Sequence, residues 1–278
     1  MQNSPSRRRV LLALLVAGAA AGSVQAGDSV ATYRVVFDAT WSADNHPQDF
    51  PNNPHFSGLI GGTHHVGIHF WEHGGLATPG IESMAETGSK TMLRNEVNAA
   101  IGSGDAEFLL SGGGIGSSPG STSMTFEVST THPLVTLVSM IAPSPDWFVG
   151  VDALPLAVGG VWQEEVVVHL APYDAGTDSG MTYNSFNQNT DPQEPIHDLS
   201  DIFPFTGTPP LGTFTFTLVS VEGCLADFND DEMANTQDVL AFLNAWTAGE
   251  SSADINADQM VNTQDVLAFL NLWTTGCG

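Results

Sequence analysis

The stretch Tyr33–Trp41 reads YRVVFDATW, with Tyr33, Val35, Phe37, Ala39 and Trp41 on odd positions and Arg34, Asp38 and Thr40 between them. Side chains of a strand alternate between its faces, so this pattern puts an apolar row on one face and a mostly polar row on the other. Gly212–Val221, GTFTFTLVSV, repeats the pattern, with Phe214, Phe216 and Leu218 set against Thr213, Thr215 and Thr217. Working outward, the runs Ser123–Ser129, Leu134–Ala142, Trp147–Leu154 and Val161–Leu170 also read as strands, separated by segments rich in Gly, Pro, Ser and Asn. Short strands with frequent turns predict a mainly β chain built as an antiparallel β-sandwich. One short connecting helix is expected over Lys90–Ile101, where Leu93, Val97 and Ile101 share a side.

Before the first strand, Arg7, Arg8 and Arg9 lead into the apolar run Val10–Ala21 and the small residues before Gly27. This is the layout of a leader peptide over residues 1–26, through either a general or a twin-arginine route, so export is expected. No later segment has the apolar length a bilayer requires. The chain carries 31 acidic residues against six Lys and Arg, a formal net charge of −25. Without the leader only Arg34, Lys90 and Arg94 remain basic, too few to hold nucleic acid phosphates. Divalent cations are the natural counter-charge, although a solvated acidic surface accounts for many of these carboxylates.

The ten residues NTQDVLAFLN occur twice, at Asn235–Asn244 and Asn262–Asn271, 27 residues apart. Each copy follows an oxygen-rich run. In the first, Asp227, Asn229, Asp231, Asn235 and Asp238 occupy loop positions 1, 3, 5, 9 and 12; Asp254, Asn256, Asp258, Asn262 and Asp265 do so in the second. The carbonyls of Met233 and Met260 fall at position 7. That is the Ca²⁺-loop spacing of an EF-hand, and hard oxygen donors without Cys or His favour Ca²⁺ over zinc. After each loop, Val239, Phe242, Leu243 and Trp246, and then Val266, Phe269, Leu270 and Trp273, form an apolar helical stripe that needs its twin for burial. A small all-α, paired EF-hand-like domain is therefore expected over residues 223–278, after a sandwich over residues 27–222. Cys224 and Cys277 bracket the repeat. In an exported protein such a pair is expected to form a disulfide, worth roughly 4 kcal/mol on the chain-entropy model, with two free thiols as the alternative.

The duplicated loop and helix resemble a dockerin type I module of the kind ending in GC. The resemblance implies tethering to a cohesin-like partner on a scaffold or cell surface, with Thr236, Gln237, Thr263 and Gln264 helping to choose it. Loop position 6 departs from the pattern: Glu232 and Gln259 stand where most such loops carry Gly. Weaker Ca²⁺ binding follows if that backbone is left-handed, and a helical hairpin without metal is the bland alternative.

If the strands Leu134–Ala142, Trp147–Leu154 and Val161–Leu170 run up, down and up, the loops carrying Asp146 and Asp174/Asp178 emerge at one end. Three crowded carboxylates repel unless a cation lies between them. Pro143, Pro145 and Pro172 stiffen these loops, and Gly176 permits the turn between Asp174 and Asp178. The segments HPQDFPNNPHFSGLIGGTHH (46–65), FWEHGGLATPGIESMAETG (70–88), IAPSPDWFVGVDAL (141–154) and PYDAGTDSG (172–180) together resemble the spondin N-terminal domain of the F-spondin/mindin type. The resemblance spans about residues 33–218. It implies a C2-like β-sandwich, a metal ion, Ca²⁺, at Asp146, Asp174 and Asp178, and a role in extracellular matrix or adhesion with an unidentified protein or glycan ligand.

Other patterns weigh less. On a strand, His65, His69 and His73 would share a face as a zinc site requires, but packing around GIHFW is the simpler reading. Gly112–Gly120 lacks the Lys of a phosphate loop and reads as a flexible connection, and Ser144, Ser179 and His132 lack a nucleophile elbow. Trp41, Trp71, Trp147 and Trp162 fill a core or line a sugar platform. The leading expectation is a secreted Ca²⁺-binding adhesion or recognition module without catalytic activity. A polysaccharide-active enzyme carried by the dockerin-like tail and a structural surface component are the alternatives.

Overall fold

The computed structural model describes residues 30–158, 161–222, 225–229, 234–256 and 260–275. The leader, Cys224, Cys277, Asp231, Glu232, Met233, Asp258 and Gln259 lie outside the described residues.

Strands β1 (Val30–Ala39), β2 (His55–Phe56) and β3 (Ile60–His64) precede helices α1 (Pro79–Thr87) and α2 (Thr91–Ser103). Then come β4 (Ala106–Ser111), β5 (Gly120–Ser129), β6 (Leu134–Ala142), β7 (Trp147–Pro155), β8 (Ala157–Val158) and β9 (Val161–Trp162). The sheets are completed by β10 (Glu165–His169), β11 (Tyr173–Asp174), β12 (His197–Asp198) and β13 (Gly212–Glu222). One sheet has the order β10-β13-β1-β5, and a larger one runs β12-β11-β7-β6-β3-β4 with β2 paired to β6. All the pairings within both sheets are antiparallel.

The alternation in β1 decides the layering. Ala31, Tyr33, Val35, Phe37 and Ala39 are buried while Arg34 and Asp38 are exposed. Opposite them, β13 sets Phe216 against Val35 and Phe214 against Phe37. Phe37 meets Phe214 and Phe56 edge-on at centroid distances of 5.0 and 4.8 Å. These residues share one core with Val135 and Leu137 of β6 and Val149 and Val151 of β7, so the two sheets enclose a common apolar layer. On its other face the larger sheet packs Ile60, Val138, Met140 and Phe148 against Ile81 and Met84 of α1 and Leu93 and Val97 of α2. Strand β6 is covered on both sides, which is why its sequence LVTLVSMIA is nearly continuous in apolar residues where β1 alternates.

Three expectations are corrected. The run Val161–Leu170 is two strands: β9 pairs with β8 in a small ribbon, and β10 forms an edge of the four-stranded sheet. Gln163 and Glu164 break the run, and the Leu218 N–H donates to the Glu164 carbonyl just before β10 begins. Among the described residues two helices, not one, precede β4. The signals for α1 stand at its ends: the Thr78 hydroxyl accepts from the Ile81 N–H, Pro79 opens the helix, and Gly88 closes it at φ 69°. Nine residues are too few to repeat a stripe convincingly. Finally, Gly112–Gly120 is sewn down by reciprocal hydrogen bonds between Phe56 and Ile115 and between Leu59 and the Gly112–Gly113 backbone.

In the tail, α3 (Thr236–Ala248) and α4 (Thr263–Thr275) follow each other with a short 3₁₀ turn at Ser251–Ala253 between them. Phe242 and Phe269 are fully buried and stack at 4.2 Å. Each indole donates across the repeat, Trp246 Nε1 to the Asn262 carbonyl at 2.7 Å and Trp273 Nε1 to the Asn235 carbonyl at 2.9 Å. The expected stripe is corrected at Leu243 and Leu270, which are exposed; Ala245 takes the buried place in α3. No helix among the described residues is long and apolar enough to cross a membrane.

Replacing Phe37 by Ala is expected to lower unfolding stability by about 3–5 kcal/mol, measured as a drop in urea midpoint. Arg34→Ala, on the exposed face of the same strand, is expected to change it by less than about 0.5 kcal/mol.

Candidate metal centre

Strands β6 and β7 form an antiparallel hairpin whose connection carries Asp146. Strand β11 then pairs with β7, setting Asp174 opposite Trp147, so the loops of Asp146 and Asp174 do emerge together. The route differs from a simple up–down–up meander, because β10 crosses to the other sheet before the chain returns through β11.

Asp146 is fully buried. Its Oδ2 accepts from the Thr177 N–H at 2.8 Å, the Thr177 hydroxyl at 3.2 Å and the Asp178 N–H at 3.0 Å. Its Oδ1 is buried without a hydrogen-bond partner. An unpartnered buried carboxylate oxygen is costly and marks a place where an ion or a proton belongs. Asp174 accepts from the Gly176 N–H at 2.8 Å and from Trp147 Nε1 at 3.2 Å. Asp178, also buried, accepts from the N–H groups of Gly180 at 2.8 Å and Gln188 at 3.0 Å. Gly176 has φ 75°, and a Cβ there would collide with the Glu194 carbonyl, so this turn admits no larger residue.

Burial first, and then the charge of Asp174, push the Asp146 carboxyl up to about 7, against the lowering effect of its N–H donors. Burial also raises Asp174. A hollow of about 240 Å³ opens beside these groups, lined by Asp174, Gly176, Asp178, Glu194 and His197 among others. The sequence reading missed Glu86. This residue of α1 hydrogen-bonds Thr177, lies near Asp178, is raised chiefly by burial, and keeps Oε1 buried and unpartnered. Its place in a helix distant in sequence from the aspartate loops left no local signal. Among the described residues no three or more His, Cys, Asp or Glu side chains already converge as a finished metal cage.

The histidines do not share a strand face, because β3 ends at His64. His65 pairs with Asp105 at 3.2 Å, His69 with Asp152 at 3.0 Å, and buried His64 bonds the Thr136 hydroxyl at 2.8 Å. Trp41, Trp71 and Trp147 are buried and Trp162 packs against the core, as core filling requires.

In the tail, Asp238 and Asp265 are fully buried. Asp238 accepts from Asn235 N at 2.7 Å and Asn229 N at 3.1 Å, and Asp265 from Asn262 N at 2.7 Å and Asn256 N at 3.3 Å. Burial pushes Asp238 up, but these N–H donors and a hydrogen bond with Asp227 outweigh it and hold the carboxyl below its usual value. First and last loop positions thus meet in the first repeat. Asp254, Asn256 and Met260 lie in the corresponding second loop.

Fold and site together define an antiparallel two-sheet protein, backed by helices on one face, that gathers buried carboxylates at the loops of one end. The Spondin_N family model matches residues 31–210, and the chain belongs to that family. Similar proteins include Spondin-2 of Rattus norvegicus, 38% identical over 202 residues that cover 68% of this chain and 60% of that protein. Spondin-2 of Homo sapiens is 36% identical over 210 residues, 70% of this chain and 62% of that protein. Spondin-1 of Rattus norvegicus is 36% identical over 178 residues, 62% of this chain and 22% of that protein. The chain thus spans less than two thirds of the relatives it matches. The family match ends before the helix pair.

An unfolded Asp titrates at about 3.9, so between about pH 4 and 7 the folded protein holds a proton on Asp146 that the unfolded chain lacks. This group's contribution to stability therefore falls as pH rises through that window. With chelator present, Asp146→Asn is expected to reduce the loss of urea midpoint between pH 5 and pH 8; an unchanged loss would show that Asp146 is ionised throughout.

Proposed function

We propose that this protein is an exported, Ca²⁺-binding adhesion or ligand-recognition module, a binding protein and not an enzyme. In this reading the two-sheet region over residues 27–222 is a C2-like sandwich. Residues 223–278 form a paired EF-hand-like, dockerin-like tether toward a cohesin-like or cell-surface partner. The sandwich itself recognises an extracellular protein or glycan.

The observation that carries the reading is Asp146, fully buried, with one carboxylate oxygen unpartnered and Asp174 close enough to raise its proton affinity. A divalent cation relieves both the repulsion and the missing partner, and hard carboxylate oxygens suit Ca²⁺. Asp146, Asp174 and Asp178 would hold it, exchanging some of their backbone N–H bonds for the ion. Bound Ca²⁺ would supply a fixed positive charge that locks the two loops together. Support for the tail reading is the burial of Asp238 and Asp265 at equivalent places of the two repeats, together with the crossed indole bonds.

Calorimetric titration of the exported chain with Ca²⁺ tests this. Uptake is expected, with Asp174→Asn weakening the sandwich site at least roughly tenfold and Asp238→Ala with Asp265→Ala removing the tail component. At free Ca²⁺ about ten times Kd the wild type gains about 1.4 kcal/mol of stability. A titration without heat or stabilisation at millimolar Ca²⁺ sinks the proposal.

A further inference from the structure

The loop from Asp178 to Thr190 is held at its base and middle. Ser179 N donates to the Gln188 carbonyl at 2.9 Å and Thr190 N to the Thr177 carbonyl at 2.8 Å. Tyr183 is driven into the core, with ring centroids 5.2 Å from Trp147, 5.3 Å from Trp41 and 5.8 Å from Phe205. The loop is therefore anchored by one aromatic side chain while it displays two other apolar ones: Met181 is 74% exposed and Phe186 90% exposed. Met181 lines the acidic hollow, as do Ile202 and Phe203 of the following loop, each 47% exposed. Large apolar side chains left in water around a hollow on an anchored loop are a cost to the free protein, and such clusters mark contact surfaces.

The charge of the hollow selects the occupant. Asp174, Asp178, Glu194 and His197 line it, and among the described residues no Lys or Arg does. The sign persists with a metal ion in place: a divalent cation against Asp146, Asp174 and Asp178 leaves one negative charge, and Glu194 adds another. An anionic partner, such as an acidic peptide or a lipid surface rich in phosphatidylserine, is repelled locally and by the formal net charge of −25. A guanidinium or ammonium group framed by apolar side chains matches both parts of the surface, and Arg with apolar neighbours is a common interface anchor.

We propose that the acidic hollow with its Met181, Ile202 and Phe203 rim is the docking face for a protein partner presenting a Lys or Arg side chain between apolar residues. This deepens the Ca²⁺ reading and rests on it for the ordering of the two loops, while the docking chemistry is tested separately.

The test uses the exported full chain with Ca²⁺ and a short fluorescent, amidated Gly/Ser peptide carrying Leu-Leu-Arg-Leu-Leu, alongside its Arg→Glu twin. Fluorescence anisotropy is expected to show binding of the Arg peptide at least roughly tenfold tighter than the twin. Glu194→Gln is expected to erode that preference. Phe203→Ser is expected to weaken the Arg peptide while leaving the Ca²⁺ titration unchanged, which separates this proposal from the metal reading. Peptide binding that persists without any Ca²⁺ uptake removes the metal and keeps the docking face. Equal binding of the twin, or no effect of Met181→Ser and Phe203→Ser, overturns the proposal. So does sedimentation with phosphatidylcholine/phosphatidylserine vesicles, or a concentration-dependent dimer, that Phe203→Ser abolishes in a protein that ignores the Arg peptide.

Discussion

The pairing of the first strand with the last one holds the sandwich together. Val30 stands opposite Glu222 and Ala39 opposite Gly212, with one register shift at Thr32/Tyr33, so the first and last strands of the region close on each other. Because side chains alternate, this register also fixes that Val35 and Phe37 face inward with Phe216 and Phe214. A slip by one residue would turn Arg34 and Asp38 into the core. The other sheet has no equivalent self-sufficient face: it is buried on one side by this pair and on the other by α1 and α2. Such pairing over a long loop is entropically demanding.

From that constraint follows the position of the carboxylates. With β1 and β13 fixing the smaller sheet, β10 must join it at the β13 edge, and the chain then returns to the larger sheet through β11. That return sets Asp174 against Trp147 and the 177–178 turn over Asp146. Gly176 allows it, since only glycine fits beneath the Glu194 carbonyl with a left-handed backbone. The carboxylates are thus buried by the path of the chain, and their raised proton affinity is a consequence of the fold. Membership of the Spondin_N family covers this part of the molecule, whereas the duplicated tail is a separate apolar cluster with its own internal symmetry.

Much of this was legible in the residues. β6 lies where its run of apolar residues was read, and β1, β5, β7 and β13 lie within a few residues of their expected limits. Alternation and turn residues are local signals, and in these five strands nothing tertiary overrode them. The short strands β2, β3, β11 and β12 carried no such signal, because a strand of two to five residues is too short to show a period and is held by its neighbours rather than by its own pattern. Likewise the tail stripe was right at Phe242 and Phe269 and wrong at Leu243 and Leu270, since helical periodicity gives a sector and only the crossing of α3 with α4 selects which edge of it is covered.

By itself the sequence determined the antiparallel, mainly β character of residues 30–222 and the duplicated helices, because period, turn chemistry and repeats are properties of neighbouring residues. Only the tertiary structure decided that Val161–Leu170 divides between two sheets, that Glu86 stands beside Thr177, and that one oxygen of Asp146 is sealed off without a donor. Those facts depend on which segments exclude water from which others, and burial of that kind is set by contacts between residues far apart in the chain.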